Sequence, residues 1–325
     1  MTILRAADRP TRSSRAGSAP AAVRSPRAGR PAGIAIGLAS ALFFGTSGTF
    51  GSALIGAGWS PGGAVLARVT VAALALTIPA LITLRGRWSL LRRSAGRVIM
   101  YGLVGVAACQ VAYFNAIALM PVGIALLLEY MGVVLIVGWL WLRHGQRPRP
   151  LTVAGGVAAL GGLALMLNLA GAGGVSLAGV AWALLAAVSM ASYFLQSAAD
   201  DADALPPVVL TWGGMIAGAA AIGVSGAVGL VPLRASTSDV HLLGHRVSVL
   251  VPVLGLSLVA AAAAYVLGVG AARRLGAKLG SFVAMAEIIF AVLFAWVLLG
   301  QAPAATQFLG GALILAGVIA VRLDE

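Results

Sequence analysis

Glu129 and Glu287 are the residues best suited by type to do chemistry, because each sits alone inside a long apolar run. A carboxylate costs about 2.5–3.5 kcal/mol to place at the centre of a membrane helix, so such residues mark proton relays, ion paths or substrate sites. The other seven acidic residues fall in the tails or between apolar runs. Arg68 is the third charge inside a run. Two carboxylates can carry protons or hold a substrate ammonium. A guanidinium can hold a substrate carboxylate bidentately, or pair with Glu129 as a structural ion bridge.

Neutral polar groups accompany these charges. Gln110, Tyr113 and Asn115 share one apolar run, with Gln110 and Tyr113 three apart on one helix face. Thr46, Ser47 and Phe50 form a second stripe, Ser189, Ser192, Tyr193 and Gln196 a third, and Tyr265 stands in a later run. In lipid each such group needs a partner. It either lines a polar pathway or bonds to a neighbouring helix, and Ser and Thr also serve close packing. His241 and His245 lie near Asp239, but without a cysteine or a helix to fix them they are not assigned a metal. Cys109 is the sole cysteine, which rules out an intrachain disulfide or a cysteine cluster. There is no Walker loop and no nucleophile–base set. The expectation is a protein that is not an enzyme and uses no cofactor.

The elements that must position these residues are membrane helices. The chain is 60% hydrophobic and 10% charged, with mean hydropathy +1.01. Soluble domains carry about 25% charged residues. Apolar runs of about 20 residues recur from Gly33 to Val321, each long enough to cross about 30 Å of hydrocarbon. The reading is an all-α membrane protein with ten transmembrane helices: 33–55, 61–84, 98–119, 121–142, 151–169, 177–196, 206–230, 247–270, 280–299 and 306–321. The alternation that marks an outer-membrane barrel is absent.

The net charge of +13 does not signal nucleic acid. Arginines cluster before the first run (Arg5 to Arg30), after the second (Arg85 to Arg97), after the fourth (Arg143, Arg147, Arg149) and after the eighth (Arg273, Arg274, with Lys278). Only Arg234 and Arg246 fall on the opposite side. The positive-inside rule then places both termini in the cytoplasm of a multi-pass inner-membrane protein. Asp200-Asp201-Ala202-Asp203 runs against the pattern, but acidic residues weigh little in it. Residues 1–31 read as a disordered basic tail, with no cleaved signal peptide.

Five runs per half make the halves face opposite ways. The segment 121–130, ending Glu129-Tyr130, echoes 280–288, ending Glu287-Ile288, and each leads to Gly-Gln (Gly145-Gln146, Gly300-Gln301). Counted from opposite faces, Glu129 and Glu287 lie about 12 and about 10 Å deep. Carboxylates at inversion-related depths suit an alternating-access transporter.

These segments resemble the EamA domains of the drug/metabolite transporter superfamily, as two five-helix repeats over 32–170 and 176–322. The Pro121-to-Tyr130 run and Met285-Ala286-Glu287 are most similar to the threonine/homoserine exporter branch. The resemblance implies export of small polar metabolites, amino acids foremost, with protons as coupling ion and the lipid bilayer as surroundings. The family often has Glu-Pro where this chain has Glu287-Ile288, which implies a straighter ninth helix, and Gly-Glu where it has Gly300-Gln301. Two rival readings are a hydrophobic-drug efflux pump, which needs an aromatic-lined cavity that a 6% aromatic chain disfavours, and a non-transporting scaffold with mutually paired charges.

Overall fold

A computed structural model describes residues 30–120, 122–166, 176–199, 204–242, 245–299 and 305–324. The basic tail, Asp200-Asp201-Ala202-Asp203 and Gly300-Gln301 lie outside the described residues. The described chain is mostly helical, with seven helical stretches long and apolar enough to cross a membrane and two shorter apolar ones, Pro150–Leu165 and Phe308–Leu323.

In chain order the helices are α1 (Arg30–Gly45), α2 (Ser47–Gly56), α3 (Pro61–Leu84), α4 (Trp88–Arg93), α5 (Ala95–Leu119), α6 (Val122–His144), α7 (Pro150–Met166), α8 (Leu177–Ser197), α9 (Pro207–Ala227), α10 (Leu250–Ala284), α11 (Ala286–Leu299) and α12 (Ala305–Leu323). Their starts follow local chemistry. Proline opens α3 and α9, where its missing N–H has no helical partner to lose. Ser60 and Ser176 cap α3 and α8 by accepting from Gly63 N at 3.1 Å and Gly179 N at 3.4 Å.

The eighth and ninth runs are not separated by a loop. The helix runs through Arg273, Arg274 and Lys278, broken at Gly276, which lies in the left-handed region at φ +78°. A Cβ built on Gly280 would lie 3.4 Å from the Ala272 Cα. Eight residues along one straight helix would separate them by about 12 Å, so the chain doubles back at this glycine. Residues 240–242 and 245–247 pair as a small antiparallel hairpin, so Val247 belongs to a strand and not to the eighth helix.

Two stretches of π-helix interrupt the bundle. Tyr101–Ala108 lies within α5 and Gly255–Ala263 within α10, the third helix of each half in the sequence reading. Such segments displace carbonyls from the regular ladder and gather at functional sites.

Two further breaks cross each other. Between α1 and α2, Thr46 turns its N–H (3.2 Å) and Oγ1 (2.7 Å) onto the Phe43 carbonyl. Between α10 and α11 the ladder tightens, with Met285 N donating to Phe282 O and Ile288 N to Met285 O. Gly45 holds the breaks together, since a Cβ there would lie 3.0 Å from Phe290 Cβ and 3.1 Å from Glu287 O. The straight ninth helix expected from the absent proline is therefore not found. Tyr130 supplies the cause. Its hydroxyl donates to the Ala284 carbonyl at 2.9 Å, the acceptor Ile288 N would use in a regular helix.

α7 and α12 interlock through glycines, with Gly155 facing the Gly317 carbonyl and Gly317 facing that of Gly155. The Asp324 carboxylate accepts from Thr152 N at 3.0 Å and from the Thr152 hydroxyl, so the end of α12 caps the start of α7.

Candidate functional site

Side chains from α1, α3, α5, α6, α8 and α10 surround a cavity of about 750 Å³ of atom-free space, part of it open. Glu129 reaches it from α6, and Glu287 from the first turn of α11, just past the Met285 break. Arg68, Gln110, Tyr113, Tyr193 and Tyr265 line it as well. Seven of the eight residues singled out from sequence thus share one wall. Asn115 does not, because its Nδ2 donates to the Val111 carbonyl at 2.7 Å on its own helix.

Arg68 is almost wholly buried, at 1% exposure, and neutral acceptors hold it. Nη1 donates to Ser47 Oγ at 2.9 Å and to Gln110 Oε1 at 2.6 Å, while Nη2 donates to the Ala260 carbonyl inside the second π segment. None of these bonds goes to Glu129, so of the two alternatives left open by the sequence they do not include the Arg68–Glu129 bridge. Ser47, Gln110 and the Ala260 carbonyl hold the two Nη groups, and Nε is buried without a bonded protein partner. Gln110 also donates from Nε2 to the Tyr265 hydroxyl at 2.8 Å, making a chain Arg68–Gln110–Tyr265 across three helices.

The carboxylates have softer company. Cys109 Sγ lies 3.6 Å from Glu129 Oε1, and the Tyr130 hydroxyl lies 3.0 Å from Glu287 Oε2. Neither carboxylate is neutralised by a hydrogen-bonded cation in these contacts, so the cavity is suited to a proton or an ammonium on each.

Aromatic rings complete the wall. Phe44 and Tyr265 meet edge-to-face at 5.0 Å, Tyr193 and Tyr265 at 5.4 Å, and Tyr193 and Phe194 at 4.9 Å. The low aromatic content misled the sequence reading here. The chain has five tyrosines, and four of them line this cavity.

Sequence reasoning missed Cys109, Tyr130, Phe44 and Phe194. Tyr130 carried one available signal, adjacency to Glu129, but neighbours in a helix point about 100° apart, and only the tertiary fold brings Tyr130 to Glu287. Thr46 and Phe50 serve structure, Thr46 at the α1–α2 break and Phe50 against Gly255. On α8, Gln196 bonds Ser192 at 2.8 Å.

The cavity extends along the spans in one direction. From the level of Ser47, Gln110 and Glu287 its lining runs through Gly37, Gly105, Phe194, Gly268 and Ala271, toward the helix ends that carry the arginine clusters. At the other ends the segment 232–236 packs on the start of α3. Ser60 Oγ donates to Pro232 O at 2.6 Å and accepts from Arg234 N at 2.8 Å, and Trp59 Nε1 donates to Ser236 O at 2.8 Å.

Residues 31–168 and 177–323 each match the EamA-like transporter family. No curated protein matches the chain. A solved crystal structure of a protein superimposes with a TM-score of 0.71 at 23% identity, over 91% of this chain and 99% of its own, a likeness of fold alone.

Proposed function

From the premise that the chain belongs to the EamA-like transporter family, and is thus a multi-pass membrane transporter of small molecules rather than an enzyme, we propose that it exports amine-bearing polar metabolites. Amino acids such as threonine or homoserine are the leading class, moved in exchange for protons through ten spans arranged as two inverted sets of five. One observation carries this reading: Glu129 and Glu287, on matching helices of the two halves, face one buried cavity without a bonded cation. Each carboxylate alternates between a proton and the substrate ammonium. Arg68 positions Gln110 and Tyr265 through Nη1, while its buried Nε has no bonded protein partner.

The cavity's extent supports loading from inside. It runs toward the arginine-bearing ends, and those ends face the cytoplasm under the positive-inside rule. Solute loads from inside, while the Ser60 contacts fasten the 232–236 segment over the start of α3.

The aromatic wall favours a second reading, efflux of cationic drugs, whose charge the rings and carboxylates would both attract. The scaffold reading loses ground, since it requires paired charges and no cavity. Flux of labelled amino acids in proteoliposomes, with and without an imposed pH gradient, decides. Uptake that collapses with the gradient supports proton-coupled export. Uptake indifferent to it reduces the carboxylates to binding groups, and no amino-acid flux with uptake of organic cations selects the second reading.

A further inference from the structure

Arg68 fixes the direction of the hydrogen bonds around it, because a guanidinium donates and never accepts. Its Nη1 donates to Ser47 Oγ at 2.9 Å and to Gln110 Oε1 at 2.6 Å. With the amide oxygen turned to Arg68, Gln110 presents its nitrogen to α10, and Nε2 donates to the Tyr265 hydroxyl at 2.8 Å. Ser47 and Tyr265 are therefore acceptors in these bonds, and each keeps its own hydroxyl proton for another partner. Among the described residues neither proton meets an acceptor. Arg68 Nε is a third such donor, buried without a bonded protein partner.

Other hydroxyls in these helices find carbonyls. Ser40 donates to Ala264 O at 2.8 Å and Ser257 to Val253 O at 2.7 Å, as buried hydroxyls almost always do. Ser47 is denied the usual choice, the carbonyl four residues back, because Phe43 O already holds Thr46 N and Oγ1 at the α1–α2 break. Ser47 and Tyr265 are 5% and 2% exposed, and both line the cavity beside Arg68 and Gln110. Unanswered donors around a positive charge that has no hydrogen-bonded anion suit a ligand rich in lone pairs. A carboxylate brings lone pairs and a negative charge, whereas a water would bring two more protons to place.

We propose that the hydroxyls of Ser47 and Tyr265, oriented and backed by Arg68, bind the carboxylate of the transported solute. The inference rests on the transport reading and narrows it. Glu129 and Glu287 take the ammonium and this site takes the carboxylate, so the solute is a zwitterionic amino acid and not a simple amine or organic cation. Ser47 and Tyr265 touch the solute, and Arg68 acts through them and through its charge.

Binding to the purified protein, read as a rise in melting temperature during titration, tests this with pairs that differ only in the carboxylate. The pairs are threonine against 1-amino-2-propanol, homoserine against 3-amino-1-propanol, and phenylalanine against phenethylamine. Each amino acid that binds should do so at least about tenfold more tightly than its amine. Tyr265→Phe keeps the ring against Phe44 and Tyr193 and removes the proton, so it should weaken the amino acid about fivefold more than the amine. Gln110→Glu keeps the hydroxyl but redirects it, since a carboxylate there accepts from Arg68 and from Tyr265 alike. The amino-acid preference should then collapse with no fall in melting temperature. Equal binding of amino acid and amine by the wild type, equal loss of both in Tyr265→Phe, or full preference in Gln110→Glu overturns the subsite. Preference for the amines would overturn it too, while leaving transport through the two glutamates standing. Amino-acid preference without gradient-driven flux would sink proton coupling and leave the subsite intact, and binding of none of the six probes overturns both.

Discussion

The Tyr130 hydroxyl lies 3.0 Å from Glu287 Oε2 and 2.9 Å from the Ala284 carbonyl oxygen, one proton between two acceptors. If Glu287 carries a proton, it donates to Tyr130, and Tyr130 donates to Ala284, so both contacts are hydrogen bonds. If Glu287 is ionised, Tyr130 must give up one of them. The break between α10 and α11 is therefore tied to the occupancy of the carboxyl one turn away.

Tyr130→Phe releases the Ala284 carbonyl to Ile288 N–H and removes that tie. The loss of one buried hydrogen bond, about 1 kcal/mol, should slow gradient-driven flux about fivefold. Stopped-flow measurement of vesicle pH gives the rate. A wild-type rate would make the hydroxyl purely structural.

Glu129→Gln and Glu287→Gln keep size and polarity but remove the exchangeable charge. Each should cut proton-coupled flux at least about tenfold, while the protein still elutes as a single species in detergent. If both variants transported like wild type from pH 5.5 to 8, the carboxylate mechanism would be wrong.

Arg68 joins α2, α5 and α10 by bonds to Ser47, Gln110 and Ala260. Arg68→Met strands those acceptors and should lower stability by about 2–4 kcal/mol, visible as a lower melting temperature in detergent. Unchanged melting with lost solute affinity would instead assign Arg68 to the substrate carboxylate.

Gly45 sits 3.0–3.1 Å, measured from a built Cβ, from Phe290 Cβ, Ala291 N and Glu287 O. Gly45→Val must push α1 off α11 and displace the Glu287 turn. Overpacking of this kind costs about 1–3 kcal/mol, and flux should fall with stability. Gly48, with nothing within 4 Å of its built Cβ, is the control, and Gly48→Ala should leave flux intact.

Cys109 is the one cysteine of the chain and lines the cavity, so the native protein carries its own accessibility probe. N-ethylmaleimide should alkylate it in inside-out vesicles and not from the outer face, and transported solute should protect it. Modification from the outer face alone would reverse the direction assigned to the cavity.

Much of this site could be read from the sequence because lipid makes polar residues conspicuous. Glu129, Glu287, Arg68, Gln110, Tyr113, Tyr193 and Tyr265 each interrupt an apolar run, and all seven meet at one cavity. Asn115 interrupts a run just as visibly, but a bond to its own backbone four residues back satisfies it, and no pattern distinguishes that outcome beforehand. Tyr130, Phe44 and Phe194 escaped notice because rings are unremarkable in apolar runs and only packing decides which of them turn inward. The breaks at Thr46 and Met285 were equally hidden, since no proline marks either. Both depend on carbonyls captured by side chains, Thr46 itself at the first and Tyr130 from another helix at the second.

The two π segments carry a historical consequence. Tyr101–Ala108 and Gly255–Ala263 each end just before a polar cavity residue, Gln110 following the first and Tyr265 the second, and those two side chains bond to one another. A widened turn is an uncommon irregularity, and its occurrence at matching places in both halves would demand two coincident events had it come after they diverged. One event in a shorter ancestor, copied when its gene doubled, accounts for both.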